Sequence, residues 1–267
     1  MAYSGNEQFV FIGEADGTKL VSVGNIINGG SVDIESAVEE LRGIGKSLPW
    51  EQRPALVTPG GSIEMFIKDK TSLLLGLRTN DKLSEFSVSA GASTEGKTHL
   101  YCKASSIGID AEFKSPLKGK LEWKGMGVDE EASGQTQTIL TNPTYMWYEC
   151  KVSGIDLNVR AISIKVDNGL EVEGTLGEKT ENIRLPEYII ETDQKIEVSI
   201  KAFGPLVGIA ADDLAEISEV ILTCTSGQNS LVIKAQGLLA KKESMPIKAN
   251  DVVVYGIDYS ARGIVIT

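Results

Sequence analysis

The sequence predicts a mainly β protein, a β-sandwich or barrel with a short flanking helix, built as two tandem copies of one domain. Two observations predict this. Many segments alternate apolar and polar residues with the period of two that gives a strand one buried face. Segments of the first half also recur in the second, since residues 63–68 match 196–201 at a distance of 133 and residues 100–104 match 231–235 at 131.

The spacing of these matches sets the domain boundaries. Residues 75–77 match 207–209 at a distance of 132, between the two other pairs and in the same order. We therefore predict a first β domain over 1–131 and a second over 132–267. Each is long enough to bury its own core without the help of disulfides.

In the first copy, residues 8–24 predict a strand pair with a turn at Asp16-Gly17. A helix is predicted over 34–42, because Asp33 can cap it and Gly43 can end it. Three prolines then predict an irregular loop over 44–61. Further strands are predicted at 63–67, 86–90, 98–105, 107–113 and 119–125, with a short helix or turn at 80–85 and a polar linker at 125–137.

In the second copy, the region that corresponds to the helix at 34–42 alternates and predicts a strand instead. A short helix is expected near 211–217. Strands are predicted at 161–166, 170–173, 195–202, 218–225, 230–237, 251–257 and 261–267.

Charge and composition exclude several classes of protein. The net charge of −11 is shared between the halves, and a protein this acidic is not expected to hold phosphate backbones, because that requires clustered Lys and Arg. An acidic surface instead suits nucleic acid that must slide without sticking. No apolar run approaches the roughly 18 residues of a membrane span, and residues 1–7 do not resemble a signal peptide.

The residues that carry chemistry are sparse. The single histidine, His99, has no cysteine or carboxylate partners at metal-ligand spacing. The cysteines, Cys102, Cys150 and Cys224, form no CxxC pair and predict reduced, buried thiols. We therefore predict no enzyme activity, no cofactor and no metal. Three tryptophans are candidates for packing between domains or subunits: Trp50, Trp123 and Trp147.

One run in the second half indicates a family. The alternating strand and charged turn at 161–168 are followed by an acidic strand at 170–173, a charged loop that ends at 184–186, and a second alternating strand at 195–200. This run resembles the tail tube proteins of tailed bacterial and archaeal viruses. In the first half, residues 42–61 look like the corresponding loop of the family.

The resemblance implies that domains join through shared sheets into six-domain rings that stack into a hollow tube. Two domains per chain would then give trimeric, pseudo-hexameric rings in a virion tail, through which DNA passes without specific binding. The subunits would be synthesised in the host cytoplasm. The implied partners are tape-measure, tail-terminator and baseplate proteins. Candidate residues facing the lumen or solvent are Glu64, Lys68, Glu171, Glu173, Glu197 and Lys201.

Two other functions remain open. A baseplate hub or tube-initiator protein of the same family would also use duplicated tube domains, and its rings would stop after one or two layers. A two-domain β-sandwich adhesin would expose aromatic residues on its loops and remain a monomer.

Overall fold

The computed structural model describes residues 8–22, 25–41, 51–92, 95–129, 137–138, 141–174, 185–203, 216–244 and 254–267. These residues are mainly β, with 16 strands in one curled, half-barrel sheet and two separate hairpins. The prediction of a mainly β fold of the barrel or sandwich type is confirmed. In this part of the chain, the helical elements are α1 (Thr71–Leu74) and a 3-10 turn at Trp147–Glu149.

The strands fall into two similar sets. Those of the first half are β1 (Gln8–Gly13), β2 (Leu20–Ser22), β3 (Asn25–Leu41), β4 (Glu51–Phe66), β5 (Arg78–Thr79), β6 (Lys82–Leu83), β7 (Phe86–Ala92), β8 (Glu95–Glu112), β9 (Lys118–Lys124) and β10 (Gly127–Asp129). Those of the second half are β11 (Gln137–Thr138), β12 (Cys150–Ser153), β13 (Asn158–Asp167), β14 (Leu170–Glu173), β15 (Tyr188–Glu191), β16 (Lys195–Phe203), β17 (Glu216–Ser226), β18 (Asn229–Ser244), β19 (Val254–Ala261) and β20 (Gly263–Ile266).

One path of antiparallel pairs, which we call the shared sheet, runs through both halves. Its order is β3–β4–β9–β8 in the first half and β13–β16–β19–β18 in the second. The halves meet where β8 pairs with β13. Beyond the shared sheet, β7 joins β8 and β1 joins β7, just as β17 joins β18 and β12 joins β17. The order of strand pairing is therefore the same in the two halves.

Irregularities of the backbone repeat as well. The ladder between β8 and β9 shifts after Ala104, and the ladder between β18 and β19 shifts after Ala240, so these two residues correspond. Three positions before each shift, the backbone turns to a positive φ, which is 51° at Tyr101 and 60° at Gly237. Such bulges re-aim a strand and are specific features of a fold. Matching strand order and matching bulges together indicate a duplicated unit.

Strand pairing also shows which residues correspond. Phe66 of β4 pairs with Asn25, and Phe203 of β16 pairs with Asn158, so Phe66 and Phe203 hold the same place in the two halves. Ile63 lies as many residues before Phe66 as Ile200 lies before Phe203, so the structure makes Ile63 and Ile200 equivalent. The sequence match instead aligns Ile63 with Ile196. The sequence matches thus join equivalent strands in a shifted register, because an alternating strand matches itself at several shifts.

The helix predicted over 34–42 is wrong. Residues up to Leu41 belong to β3, which pairs with β4 from Asn25↔Phe66 to Leu41↔Glu51. An isolated helix of this length is marginal in water even when it is well capped. Here the long ladder with β4 satisfies the same backbone groups and outweighs the local capping signal.

The irregular loop predicted over 44–61 is also wrong from Glu51 onward, where β4 begins. Pro54 and Pro59 lie in the part of β4 that pairs with β3 alone, because β9 joins only from Gly60. A strand tolerates proline at an edge, where its missing N–H breaks no ladder. Two further elements differ: β8 is one strand where two were predicted, and the linker predicted over 125–137 contains β10. Most of the short helix expected near 211–217 lies outside the described residues, and β17 begins at Glu216.

The core lies on one face of the shared sheet. The residues predicted to point inward from the two matched strands are at most 4% exposed: Ile63, Met65, Ile67, Ile196, Val198 and Ile200. Two large apolar clusters cover this face, and each includes residues from both halves. The opposite face is left for charged side chains.

Candidate functional site

The face of the shared sheet opposite the core carries charged residues at alternate positions. Directly opposed residues of antiparallel strands lie on the same face. The register therefore places Glu64, Lys120 and Gly108 in one row across the first half, which continues with Lys165 and Glu197 in the second. We call this surface the charged face. It runs without interruption across the junction between the halves.

The residues predicted to face the lumen or solvent divide into two groups. Glu64, Glu197 and Lys201 lie on the charged face, and Lys68 follows two residues after the end of β4. Glu171 and Glu173 are exposed, but they belong to β14, whose partner is β15 in a separate two-stranded sheet. The chain leaves the shared sheet at Gly169, whose φ is +48°. The structure therefore does not bring Glu171 and Glu173 to the charged face.

Charges of both signs pair on this face. Lys120 binds Glu122 at 2.6 Å, and Lys241 binds Glu197 at 2.9 Å. The hydrogen bond from Lys120 holds the pKa of Glu122 below its ordinary value. Each pair is partly exposed, so it adds little to stability. The described part of the charged face is thus mixed in sign and carries no basic stripe of the kind that holds a phosphate backbone.

A buried polar residue fixes the junction between the halves. Asn168, which is 0% exposed, donates from Nδ2 to the carbonyl oxygens of Gly76 at 2.9 Å and Ala104 at 3.0 Å. Its Oδ1 accepts a hydrogen bond from Gln194 Nε2 at 2.6 Å. The backbone N–H of Asn168 donates to the carbonyl oxygen of Ser105 at 2.8 Å. One side chain in the second half therefore holds two segments of the first.

A partly buried carboxylate adds to this junction. Glu191 at the end of β15 accepts hydrogen bonds from Lys103 Nζ at 2.8 Å and from the Leu83 N–H at 3.0 Å. Arg78 Nε lies 3.9 Å from the same carboxylate. Burial works to raise the pKa of Glu191, but these hydrogen bonds and charges outweigh it and lower the pKa. Beneath them, Leu83 packs with Leu170 and Ile189.

The three tryptophans differ in surroundings. Trp123 is 2% exposed and lies in the core, where its Nε1 donates to Nδ1 of His99 at 3.2 Å. Trp147 stacks edge-on with Phe113, with 4.5 Å between ring centroids, and so joins residues of the two predicted domains. Trp50 lies outside the described residues. Trp123 belongs to an apolar cluster that also contains Val166 and Ile196 of the second half, so Trp123 and Trp147 both contribute to packing between the two predicted domains.

The aromatic pair of Phe113 and Trp147 borders a cavity of about 310 Å³. Phe113 is 42% exposed and Tyr148 is 66% exposed. Arg160 and Glu112 line the same cavity and supply charge of both signs. An apolar wall with a few polar groups is the usual composition of a small-ligand pocket.

The cysteine prediction is wrong for two of the three residues. Cys150 and Cys224 lie directly opposite each other in the ladder of β12 and β17 and form a disulfide. Cys102 is free and buried, and burial raises the pKa of its thiol. The two bonded cysteines are 74 residues apart, and only the strand pairing brings them together. His99 is fully buried, and no group of three metal-binding side chains occurs among the described residues.

The sequence did not reveal Asn168, Glu191 or Phe113 as important. The Asp-Asn-Gly run at 167–169 has the composition of an ordinary turn. The carbonyl groups of Gly76 and Ala104, to which Asn168 donates, are distant in sequence, so the local pattern does not reveal these bonds.

No protein-family model matches the chain, and no match to it was found among curated proteins. None of the described helices is long and apolar enough to cross a membrane.

Proposed function

We propose that this chain is a structural subunit of a viral tail tube, assembling as trimeric, pseudo-hexameric rings that stack into a conduit for DNA. The observation that carries the proposal is the shared sheet: each half contributes four strands in the same order, and the two sets join edge to edge through β8 and β13. A chain that already joins two repeats in this way has the geometry to continue the sheet with further copies.

The charged face supports the same function. A sheet that curls toward closure has one face inside and one outside, and its core side is already covered by apolar clusters. The charged face is then available for the lumen. Its mixed charges suit passage of DNA without specific binding, since no basic stripe is present on the described residues. In the virion, the proposed partners are the tape-measure, tail-terminator and baseplate proteins.

The test is electron microscopy of the purified protein together with its mass in solution. We expect a mass of about 86 kDa, three times 28.6 kDa. With strands about 4.8 Å apart and tilted by about 40°, three shared sheets would close at a backbone diameter of roughly 45–50 Å. Long tubes would favour the tube subunit, and rings limited to one or two layers would favour the hub or initiator. A monomer at every concentration would refute both.

One observation favours a second candidate, a two-domain binding protein. Exposed aromatic side chains beside a cavity, as at Phe113 and Tyr148, are common where proteins bind ligands. This function predicts a monomer whose ligand binding is lost in a Tyr148→Ala variant, and a glycan array provides the measurement.

A further inference from the structure

The shared sheet ends in two strands whose outer edges are unpaired within the described residues. At one end, β3 pairs with β4 alone. At the other end, Leu239 of β18 pairs with Glu216 on one edge and with Ser260 on the other. Beyond Leu239, β18 continues to Ser244 with β19 on one edge and no described strand on the other.

The junction inside the chain shows what belongs on that edge. In β8, Ser106 pairs with Glu122 of β9 on one edge and with Asp167 of β13 on the other. Ser106 is the first paired residue after the register shift in β8, and Lys242 is the first after the equivalent shift in β18. Lys242 therefore takes the place of Ser106, and it lies in the unpaired stretch.

The strand that corresponds to β13 is β3. Both begin at a bulge, and both pair with equivalent strands, β4 and β16. Gly61 precedes Phe66 by the same number of residues as Val198 precedes Phe203, so Gly61 and Val198 correspond. Gly61 pairs with Val32 of β3, and Val198 pairs with Ile164 of β13. Val32 and Ile164 therefore correspond as well. Asp167, the last residue of β13, follows Ile164 by the same number of residues as Glu35 follows Val32. Asp167 therefore corresponds to Glu35.

We propose that β3 of one copy pairs antiparallel with the unpaired edge of β18 in a second copy of this chain, with Glu35 opposite Lys242 and Asp33 opposite Ser244. The contact repeats between chains the pairing that β13 and β8 make within one chain. It is head-to-tail, so it closes into a ring or extends without limit. This inference rests on the proposed tube function and gives it a specific contact.

An exposed apolar residue marks the same edge. The side chain of Leu239 is 57% exposed. Leu239 comes directly before Ala240 at the register shift in β18, and Lys103 comes directly before Ala104 at the shift in β8, so Leu239 and Lys103 correspond. Lys103 is covered from across the junction by Glu191 of the second half. Leu239 is therefore placed where a second copy would cover it, and the burial of its apolar surface would favour the contact.

The experiment is disulfide cross-linking of the full chain with Glu35→Cys and Lys242→Cys together. Directly opposed residues of antiparallel strands have Cα atoms about 4.5–5.5 Å apart, which is within the range that a disulfide spans. Mild oxidation should give covalent dimers and trimers on a non-reducing gel, and neither single variant should give them. The matched control is Glu35→Cys with Ser244→Cys, whose partner is moved along the strand by about 7 Å and should cross-link at least tenfold less.

Three outcomes overturn the inference. Assemblies with the mass of three chains that do not cross-link through Glu35→Cys and Lys242→Cys would refute this contact and leave the tube function standing. A protein that stays monomeric at every concentration would refute the tube function and the contact with it. As a second measurement that does not depend on cysteine, Leu239→Glu should raise the concentration needed for assembly at least tenfold while the monomer keeps its thermal stability. An unchanged assembly concentration would also overturn the inference.

Discussion

Replacing Asn168 tests whether a single side chain holds the two halves together. In Asn168→Ala, the carbonyl groups of Gly76 and Ala104 lose their donor, and the amide of Gln194 loses its acceptor. Asn168 is 0% exposed, so water cannot replace these partners unless the structure opens. The variant should therefore be strongly destabilised.

The magnitude follows from the number of bonds lost. Each buried hydrogen bond contributes about 0.5–1.5 kcal/mol net, and leaving a buried partner unsatisfied costs about 1–3 kcal/mol. Three lost bonds at the lower, net figure predict a loss of about 2–4 kcal/mol in the free energy of unfolding. At roughly 2–4 °C per kcal/mol for a chain of this size, Tm should fall by about 5–15 °C.

Asn168→Asp sharpens the test because its shape is nearly that of asparagine. The aspartate keeps an acceptor for Gln194 but presents oxygen to the carbonyl groups of Gly76 and Ala104. A buried carboxylate facing two carbonyl oxygens is costlier than a missing side chain. We therefore expect Asn168→Asp to lose more stability than Asn168→Ala.

The assay is urea unfolding at neutral pH and one fixed protein concentration, since assembly makes stability depend on concentration. The matched control is Lys165→Ala on the adjacent strand β13, an exposed position where a change within about 0.5 kcal/mol is expected. Surface substitutions usually change the free energy of unfolding by no more than about 0.5 kcal/mol. If the free energies of unfolding of Asn168→Ala and Lys165→Ala differ by less than this, the hydrogen-bond argument for the junction is refuted.

Three further predictions test other parts of the structure. His99→Ala removes the acceptor of the buried Trp123 indole N–H and should cost about 1–3 kcal/mol in urea unfolding; an unchanged midpoint would contradict this. Because the pKa of Glu191 is lowered in the folded protein, its carboxylate stabilises the fold above the ordinary value near 4.3, and this stabilisation is lost as the pH falls through the folded pKa. The difference in stability between wild type and Glu191→Gln should thus be larger at pH 7 than at pH 3, and equal differences would refute the assignment. Finally, thiol titration in denaturant should detect one free cysteine, Cys102, before reduction and three after it, whereas three before reduction would exclude the disulfide.

Local pattern predicted the strands better than it predicted their partners. Alternation located β13 and β16, because each has one buried face and a period of two. It failed at β3, where Asp33 as a capping residue and Gly43 as a terminating residue favoured a helix. The deciding interaction there is the ladder with β4, and a single sequence carries little information about such distant pairing. The disulfide was missed for the same reason, since Cys150 and Cys224 meet only through the pairing of β12 and β17.

The candidate surface shows the same division. Alternation placed Glu64, Glu197 and Lys201 on the face away from the core, as the strand register does. Glu171 and Glu173 were candidates of the same set, and their segment alternates as well, but alternation does not reveal that the chain leaves the shared sheet between β13 and β14. Which sheet a strand joins depends on turns and on buried hydrogen bonds, here those of Asn168, and these bonds join parts of the chain that are far apart in sequence.

Joining two copies in one chain allows the two kinds of junction to differ. Within the chain, Asn168 and Lys103 hold β13 and β15 against the first half. At the corresponding positions, β3 and β18 have Ser36 and Leu239, which offer neither the same amide nor the same charge. A contact between copies that lacks those hydrogen bonds is weaker than the junction within the chain. In the proposed tube, the paired halves would therefore form first as a stable unit, and the weaker contact would close the ring only when subunits are concentrated.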